Sequence, residues 1–251
     1  FTFAASILIW WFPIPRGYLK KIFIASFIAN TLQYSITYTG LNYIEASSAV
    51  LLVQMEVPFG IIFAYFMLKE KPTFRSLIGV TIAFIGVYIL TGSPNLDGKF
   101  FGIALTILGS AIWALGQVVV KPLSKEINPL ALVAWLALFS GPILISLSAI
   151  IDGNTINYLT KASFDHWLIA IYIGFFMQPI TYGCFYYVLK NNPLYKVLPI
   201  VTMGIPPTGL LAAIFLLGEK PTVELFIGGA IIIFGVIMIV FTKSKNEEVK
   251  K

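Results

Sequence analysis

Apolar residues run along this chain for about twenty positions at a time before a short polar break interrupts them. That is the length a helix needs to cross a hydrocarbon core of roughly 30 Å at 1.5 Å per residue. The pattern predicts helical spans over 22–43, 46–68, 74–92, 100–120, 129–151, 166–189, 197–217 and 223–242. A ninth run, 1–12, covers only about 18 Å as a helix, too little to span. It is expected to be the remainder of a helix that starts upstream of Phe1. Only the connection from Asp152 to Asp165 has any length, and the tail from Lys243 is charged. The expected fold class is all-α, a polytopic membrane protein.

Composition agrees with the pattern. The chain is 58% hydrophobic and 11% charged, where soluble domains carry about 25% charged residues. A net charge of +6 would suit nucleic acid if the cations shared one face, but they are scattered over short loops, so no nucleic-acid partner is expected. If the spans alternate, Arg16, Lys20, Lys21, Lys69, Lys71, Arg75, Lys121, Lys125, Lys190, Lys196, Lys243, Lys245, Lys250 and Lys251 fall on one side. Only Lys99, Lys161 and Lys220 fall on the other. The positive-inside rule makes the rich side, and with it the C-terminus, cytoplasmic.

The chain repeats itself. Glu70-Lys71-Pro72-Thr73 recurs as Glu219-Lys220-Pro221-Thr222, an offset of 219 − 70 = 149. The same offset pairs Pro58 with Pro207, Gly60 with Gly209, Gly79 with Gly228 and Gly86 with Gly235. Five spans separate equivalent positions, an odd number, so the two copies are expected to lie inverted across the membrane. Inverted repeats are a recurring construction of secondary transporters, which bind substrate near the midplane between the copies. The expected organisation is a first repeat over 1–92, a linker over 93–99, a second repeat over 100–242 and a cytoplasmic tail over 243–251. In full this would be five plus five helices, with the first and part of the second absent here.

Polar groups at membrane depth usually face the bundle interior or a wet cavity. Asn30, Gln33, Tyr34, Thr37 and Tyr38 share one helical face, as do Gln178, Thr181, Tyr182 and Tyr186. At the 149 offset Gln33 maps onto Tyr182 and Thr37 onto Tyr186. Thr106, Ser110, Trp113 and Gln117 line one side of the span over 100–120. Three such stripes could enclose a hydrated cavity for a small-molecule substrate; helix–helix hydrogen bonding is the alternative for each. Glu56 sits near mid-span, where a carboxylate costs about 2.5 kcal/mol or more on insertion scales. It is a candidate for proton coupling or for holding a substrate ammonium; the alternative is a neutral Glu bonded to a neighbouring helix. Gln54 lies about 200° from it around a helix, so the two do not share a cavity. Pro58, Pro206 and Pro207 are hinge candidates, because a proline inside a span frees a carbonyl. Glu70 and Glu219 close spans and are expected to act there.

Cys184 and His166 are each the only residue of their type, so neither a cysteine metal cluster nor a histidine pair is available. No cofactor, no metal and no catalytic residue is expected, and no Walker loop or nucleophile with a nearby His base suggests an enzyme.

These residues resemble the EamA family of the drug/metabolite transporter superfamily. The resemblance rests on a Pro-x-Gly span, an aliphatic run, Glu, a basic residue, a short turn and a Gly-x6-Gly helix, read at Pro58–Gly86 and again at Pro207–Gly235. Trp113-Ala114 with Gly116, and Tyr182-Gly183 with Leu189, lean toward its O-acetylserine/cysteine exporter branch. The resemblance implies a ten-helix inverted-repeat transporter in the bacterial inner membrane, exporting amino acids or related metabolites. Aromatic stripes such as Tyr34/Tyr38 would equally suit bulkier, drug-like solutes, and a non-transporting bundle is the remaining alternative.

Overall fold

The computed structural model describes residues 2–11, 13, 16–93, 96–151, 153 and 160–240. The charged tail over 243–251, the first residue, the end of the expected span 223–242 and most of the long connection lie outside the described residues. Those described form helices α1 (Thr2–Trp11), α2 (Leu19–Ser26), α3 (Gln33–Leu41), α4 (Ala46–Leu52), α5 (Glu56–Leu68), α6 (Phe74–Thr91) and α7 (Phe100–Glu126). They continue with α8 (Pro129–Ile151), α9 (Phe164–Ile171), α10 (Gln178–Asn191), α11 (Leu194–Thr202), α12 (Ile205–Leu217) and α13 (Val223–Val240).

Among the described residues, six helical segments are long and apolar enough to cross a membrane: Ala46–Leu68, Phe74–Thr91, Phe100–Glu126, Pro129–Ile150, Phe164–Asn191 and Leu194–Leu217. A shorter apolar helix covers Val223–Ile239. The expected span over 22–43 is also helical, through α2 and α3, but it is not among the six. Its stripe of Asn, Gln, Ser, Thr and Tyr lowers its mean hydropathy, the same feature that makes it a site candidate.

The chain forms two compact units, one of residues up to Leu32 with Val119–Asn191, the other of Gln33–Val118 with the residues from Asn192 onward. Each unit draws on both halves of the sequence. In the first, α8 is the common partner. Ala5 of α1 packs on Ala134 and Ala137, Ser26 of α2 donates a 2.6 Å hydrogen bond to the Leu136 carbonyl, and Phe23 meets Phe139 edge to face at 5.6 Å. Small residues and interhelical hydrogen bonds are the means of association open to helices in lipid, where apolar burial gives no drive.

The second unit contains the repeated sequence, and the repetition extends to geometry. A 3-10 turn, Val53–Met55, separates α4 from α5. At the equivalent place Met203 and Gly204 separate α11 from α12. Helices α5 and α12 correspond end to end at the 149 offset (56 with 205, 68 with 217), and so do α6 and α13 (74 with 223, 91 with 240). Each half-helix ends on a left-handed residue, Lys69 at φ 57° and Gly218 at φ 68°. The next N–H then turns back to a carbonyl six residues earlier, Glu70 to Ala64 at 3.2 Å and Glu219 to Ala213 at 3.1 Å, which closes the last turn one residue wider than a Schellman motif does.

Helices α6 and α13 cross antiparallel through their glycines, Gly79 against Gly235 and Gly86 against Gly228. A Cβ on Gly79 would stand 2.5 Å from the Gly235 carbonyl oxygen, and one on Gly235 would stand 2.6 Å from that of Gly79. The same reciprocity holds for Gly86 and Gly228, at 2.9 and 2.8 Å. Backbone therefore touches backbone, and any side chain at these points has to push the helices apart.

The two repeated glutamates are reciprocal as well. The Glu70 carboxylate accepts the N–H groups of Leu194 (3.1 Å) and Tyr195 (3.2 Å) at the start of α11. Glu219 accepts those of Ala46 and Ser47, both at 2.9 Å, at the start of α4. Each carboxylate thus satisfies N–H groups that lack an intrahelical partner and meets the positive end of a helix dipole. Burial pushes the Glu219 carboxyl up, but the Ser47 side chain, the Ser47 and Ala46 N–H groups and the Lys99 ammonium outweigh it and hold it below the usual carboxylate value. Lys99 also reaches Glu45 at 3.8 Å.

Two outcomes follow for thermal unfolding of the detergent-solubilised protein. Gly79→Ala or Gly235→Ala destabilises by about 1–3 kcal/mol, the cost of overpacking, whereas Gly204→Ala, with no heavy atom within 4 Å of the added Cβ, leaves the midpoint close to wild type. Because the folded-state pKa of Glu219 is depressed, its contribution is present above the unfolded-state value and is lost as pH falls through the folded one. The wild-type midpoint therefore drops more steeply on acidification than that of Glu219→Gln, which starts lower at neutral pH.

Candidate functional site

Two wide π turns interrupt helices among the described residues. Phe27–Leu32 joins α2 to the polar stripe that follows, and Tyr172–Met177 joins α9 to α10. Such turns are uncommon and are found frequently at functional sites, since one extra residue per turn re-aims the side chains beyond it. Each ends immediately before a glutamine, Gln33 or Gln178, a spacing of 178 − 33 = 145. At this point the π turns relate Gln33 to Gln178 and not to Tyr182, one helical turn away from the expected 149 register.

The sequence candidates in the first unit divide between packing and exposure. Asn30 donates to the Ser140 hydroxyl at 3.3 Å, a bond between helices. Tyr186 is a core residue with 2% of its surface exposed, its ring 5.8 Å from that of Tyr182 and 5.4 Å from that of Phe185. Its aromatic bulk fills the interior. Gln178 and Tyr182 are half-buried.

The second unit holds the sharper set. The Gln33 amide nitrogen donates to the Thr37 hydroxyl at 3.0 Å, while its oxygen is buried without a partner among the described residues. Thr37 in turn packs on Gly109 of α7. Tyr34 is half-buried with its ring 5.7 Å from that of Tyr38, which is largely exposed. Trp113 is half-buried on α7. Gln117 has no measurable exposure, and both ends of its amide lack a hydrogen-bond partner among the described residues. Gln54, in the 3-10 break, is in the same condition; sequence spacing set it aside because it cannot share a cavity with Glu56. Buried amides are normally satisfied, so several bare ones in one unit mark positions where water or a solute can be held.

Glu56 opens α5 directly after the break and is 96% buried, being 4% exposed. Pro58 sits two residues further on, and Pro206 and Pro207 occupy the equivalent first turn of α12. A proline there gives up an N–H that has no intrahelical partner, so it sets the start of a half-helix without weakening it. The hinge candidates thus lie beside the two helix breaks.

A separate cavity of about 800 Å³ lies beside α7, lined by Phe59, Ile103, Ile107 and Leu108 together with Thr91 and Asp97. None of the expected cavity residues lines it. Its walls are mostly apolar, which suits hydrocarbon better than a polar metabolite. Among the described residues no group of three His, Cys, Asp or Glu side chains is placed to hold a metal.

Comparison with known proteins agrees with this architecture. The model of the EamA-like transporter family matches twice, over residues 1–92 and 100–241. A Clostridium kluyveri protein described as an uncharacterized transporter is 27% identical over 243 residues, which is 94% of this chain and 75% of that protein. A probable amino-acid metabolite efflux pump of Escherichia coli is 27% identical over 227 residues, 87% of this chain and 75% of the pump. The Salmonella typhimurium protein of the same description is 26% identical, over 83% of this chain and 72% of that protein. A solved crystal structure shares the fold at a TM-score of 0.66 and 15% identity, covering 96% of this chain and 85% of the other. With its family motif present in both halves, this multi-pass helical membrane protein belongs to the EamA-like transporter family.

Proposed function

We propose that the protein is a secondary transporter that exports amino acids or related small metabolites across the bacterial inner membrane by alternating access. The two sequence halves, 1–92 and 100–242, act as inverted repeats of five helices each, ten in full, joined by the linker 93–99 and followed by a cytoplasmic tail. The observation that carries this reading is the reciprocal geometry of the second unit. Two broken helices, two left-handed caps and two glutamate-capped helix starts recur at one offset, and α6 and α13 cross antiparallel. A molecule built from two equivalent and opposed halves has two conformations of comparable energy available, which is what alternating access requires.

The polar stripes are the solute path on this reading. In the second unit Gln33, Tyr34, Thr37, Tyr38, Trp113 and Gln117 contact the solute; in the first unit Gln178 and Tyr182 are the candidate contacts, and Asn30 and Tyr186 pack. Glu56 is the coupling residue, and Pro58, Pro206 and Pro207 lie where the half-helices pivot. The choice of solute rests on the description of the Escherichia coli and Salmonella typhimurium relatives.

Flux of labelled cysteine, O-acetylserine and aromatic amino acids in proteoliposomes of the full-length protein tests the reading. At least one of these is transported, and Gln117→Leu lowers that flux roughly tenfold, the size of one lost buried hydrogen bond to solute, with little change in thermal midpoint. Flux of a drug-like aromatic compound alone would move the assignment to that class. Flux of no solute by well-folded protein would contradict it.

A further inference from the structure

Three helices of the second unit meet at Gly60. A Cβ placed there would strike Leu198 of α11 and lie 3.9 Å from Ala114 of α7. Their directions follow from neighbouring contacts. Thr37 meets Gly109 while Gly40 meets Thr106, so α3 and α7 run antiparallel. The short connection from α3 reverses the chain into α4 and α5, which makes α5 parallel to α7. Glu70, beyond the end of α5, holds the start of α11, and Gly60 meets Leu198 further along, so α5 and α11 run antiparallel.

One helical turn from Gly60, the same three helices present Glu56, Ser110 and Thr202, since each is four residues from Gly60, Ala114 and Leu198 respectively. All three are buried, at 4%, 3% and 2% exposure. The Ser110 hydroxyl donates to the Thr106 carbonyl at 2.9 Å and the Thr202 hydroxyl to the Leu198 carbonyl at 3.0 Å. Both protons are therefore committed to their own helices, and the oxygens turn only lone pairs toward the layer. Glu56 takes no hydrogen bond or ion pair from the described residues. With Glu56 ionised, the layer is a carboxylate and two hydroxyl oxygens that offer acceptors only. Seven residues beyond Ser110 on the same face of α7, Gln117 adds a bare amide.

An acceptor-only layer at membrane depth calls for a guest that brings positive charge or N–H groups. We propose that Glu56, Ser110 and Thr202 form a binding layer for a monovalent cation, supplied either as the primary ammonium group of the exported solute or as Na+. The inference deepens the transport reading and rests on it: the layer names the charged end that the solute, or its coupling ion, presents to the protein. Hydroxyl and carboxylate oxygens are the ligands that suit both guests, and neither needs a thiol or an imidazole.

The test is the thermal midpoint of the full-length protein in detergent, titrated separately with methylammonium chloride, NaCl and tetramethylammonium chloride at ionic strength held constant with choline chloride. A saturable rise with methylammonium or with Na+ is expected, and the one that acts identifies the source of the cation. Tetramethylammonium, which has the charge but no N–H, gives none. The response disappears in Glu56→Gln, and the midpoint of the titration moves at least fivefold higher in Ser110→Ala, which keeps the carboxylate and serves if the Glu56 variant does not fold. No saturable response to either cation, an equal response to tetramethylammonium, an unaltered response in Glu56→Gln, or an unaltered affinity in Ser110→Ala would each overturn the proposal. So would a midpoint that responds to pH alone, which would mean that Glu56 takes only a proton. Flux in proteoliposomes without any cation response removes this layer and leaves the transport reading intact; a cation response without flux of any solute does the reverse.

Discussion

In hydrocarbon a backbone N–H or C=O can be satisfied only by the protein itself, and that constraint shapes every irregular feature of this chain. Two spans of the second unit are interrupted near their middles, and at the outer starts of those same spans Glu219 and Glu70 each reach across from the other half of the sequence to satisfy the first N–H groups. The same constraint explains the glycine crossing of α6 and α13. Helices that gain nothing from leaving lipid have to gain from contact, and contact is closest where no Cβ intervenes.

The reciprocity has a consequence for function. A carboxylate from one half caps a helix of the other, so neither half can move without changing what satisfies its neighbour's helix start. Coupled motion of this kind differs from two rigid bodies sliding on an apolar face. At the Glu219 cap, Lys99 also reaches Glu45, so a cation ties that corner together as well.

Much of this was legible in the amino-acid order. The 149-residue offset appears in Glu-Lys-Pro-Thr and the glycine pairs, and the helix limits of α5, α6, α12 and α13 follow it residue for residue. Identity of that kind survives because cap, turn and glycine crossing each demand a particular residue. The terminal role of the two glutamates was readable from their place after an aliphatic run; their partners were not, since a cap donated from another part of the chain leaves no local signal. The π turns were likewise hidden, because Phe-Ile-Ala-Asn-Thr-Leu reads as ordinary apolar helix. Among the site candidates, Gln33, Gln117 and Glu56 could be picked out because polar groups are rare in such spans. Asn30 and Tyr186 fit the same periodicity, but one is bonded to Ser140 and the other fills the core; spacing reports the face of a helix and not what lies against it.

The central claim is that the two halves lie inverted across the bilayer, and the side on which each Glu-Lys-Pro-Thr corner emerges decides it. With the single Cys184 replaced, one cysteine is introduced at Lys71 or at Lys220, both exposed, and intact cells are treated with a membrane-impermeant maleimide. The account predicts that Lys220→Cys is labelled from outside, and Lys71→Cys only after the membrane is permeabilised. Labelling of both from the same side would contradict it.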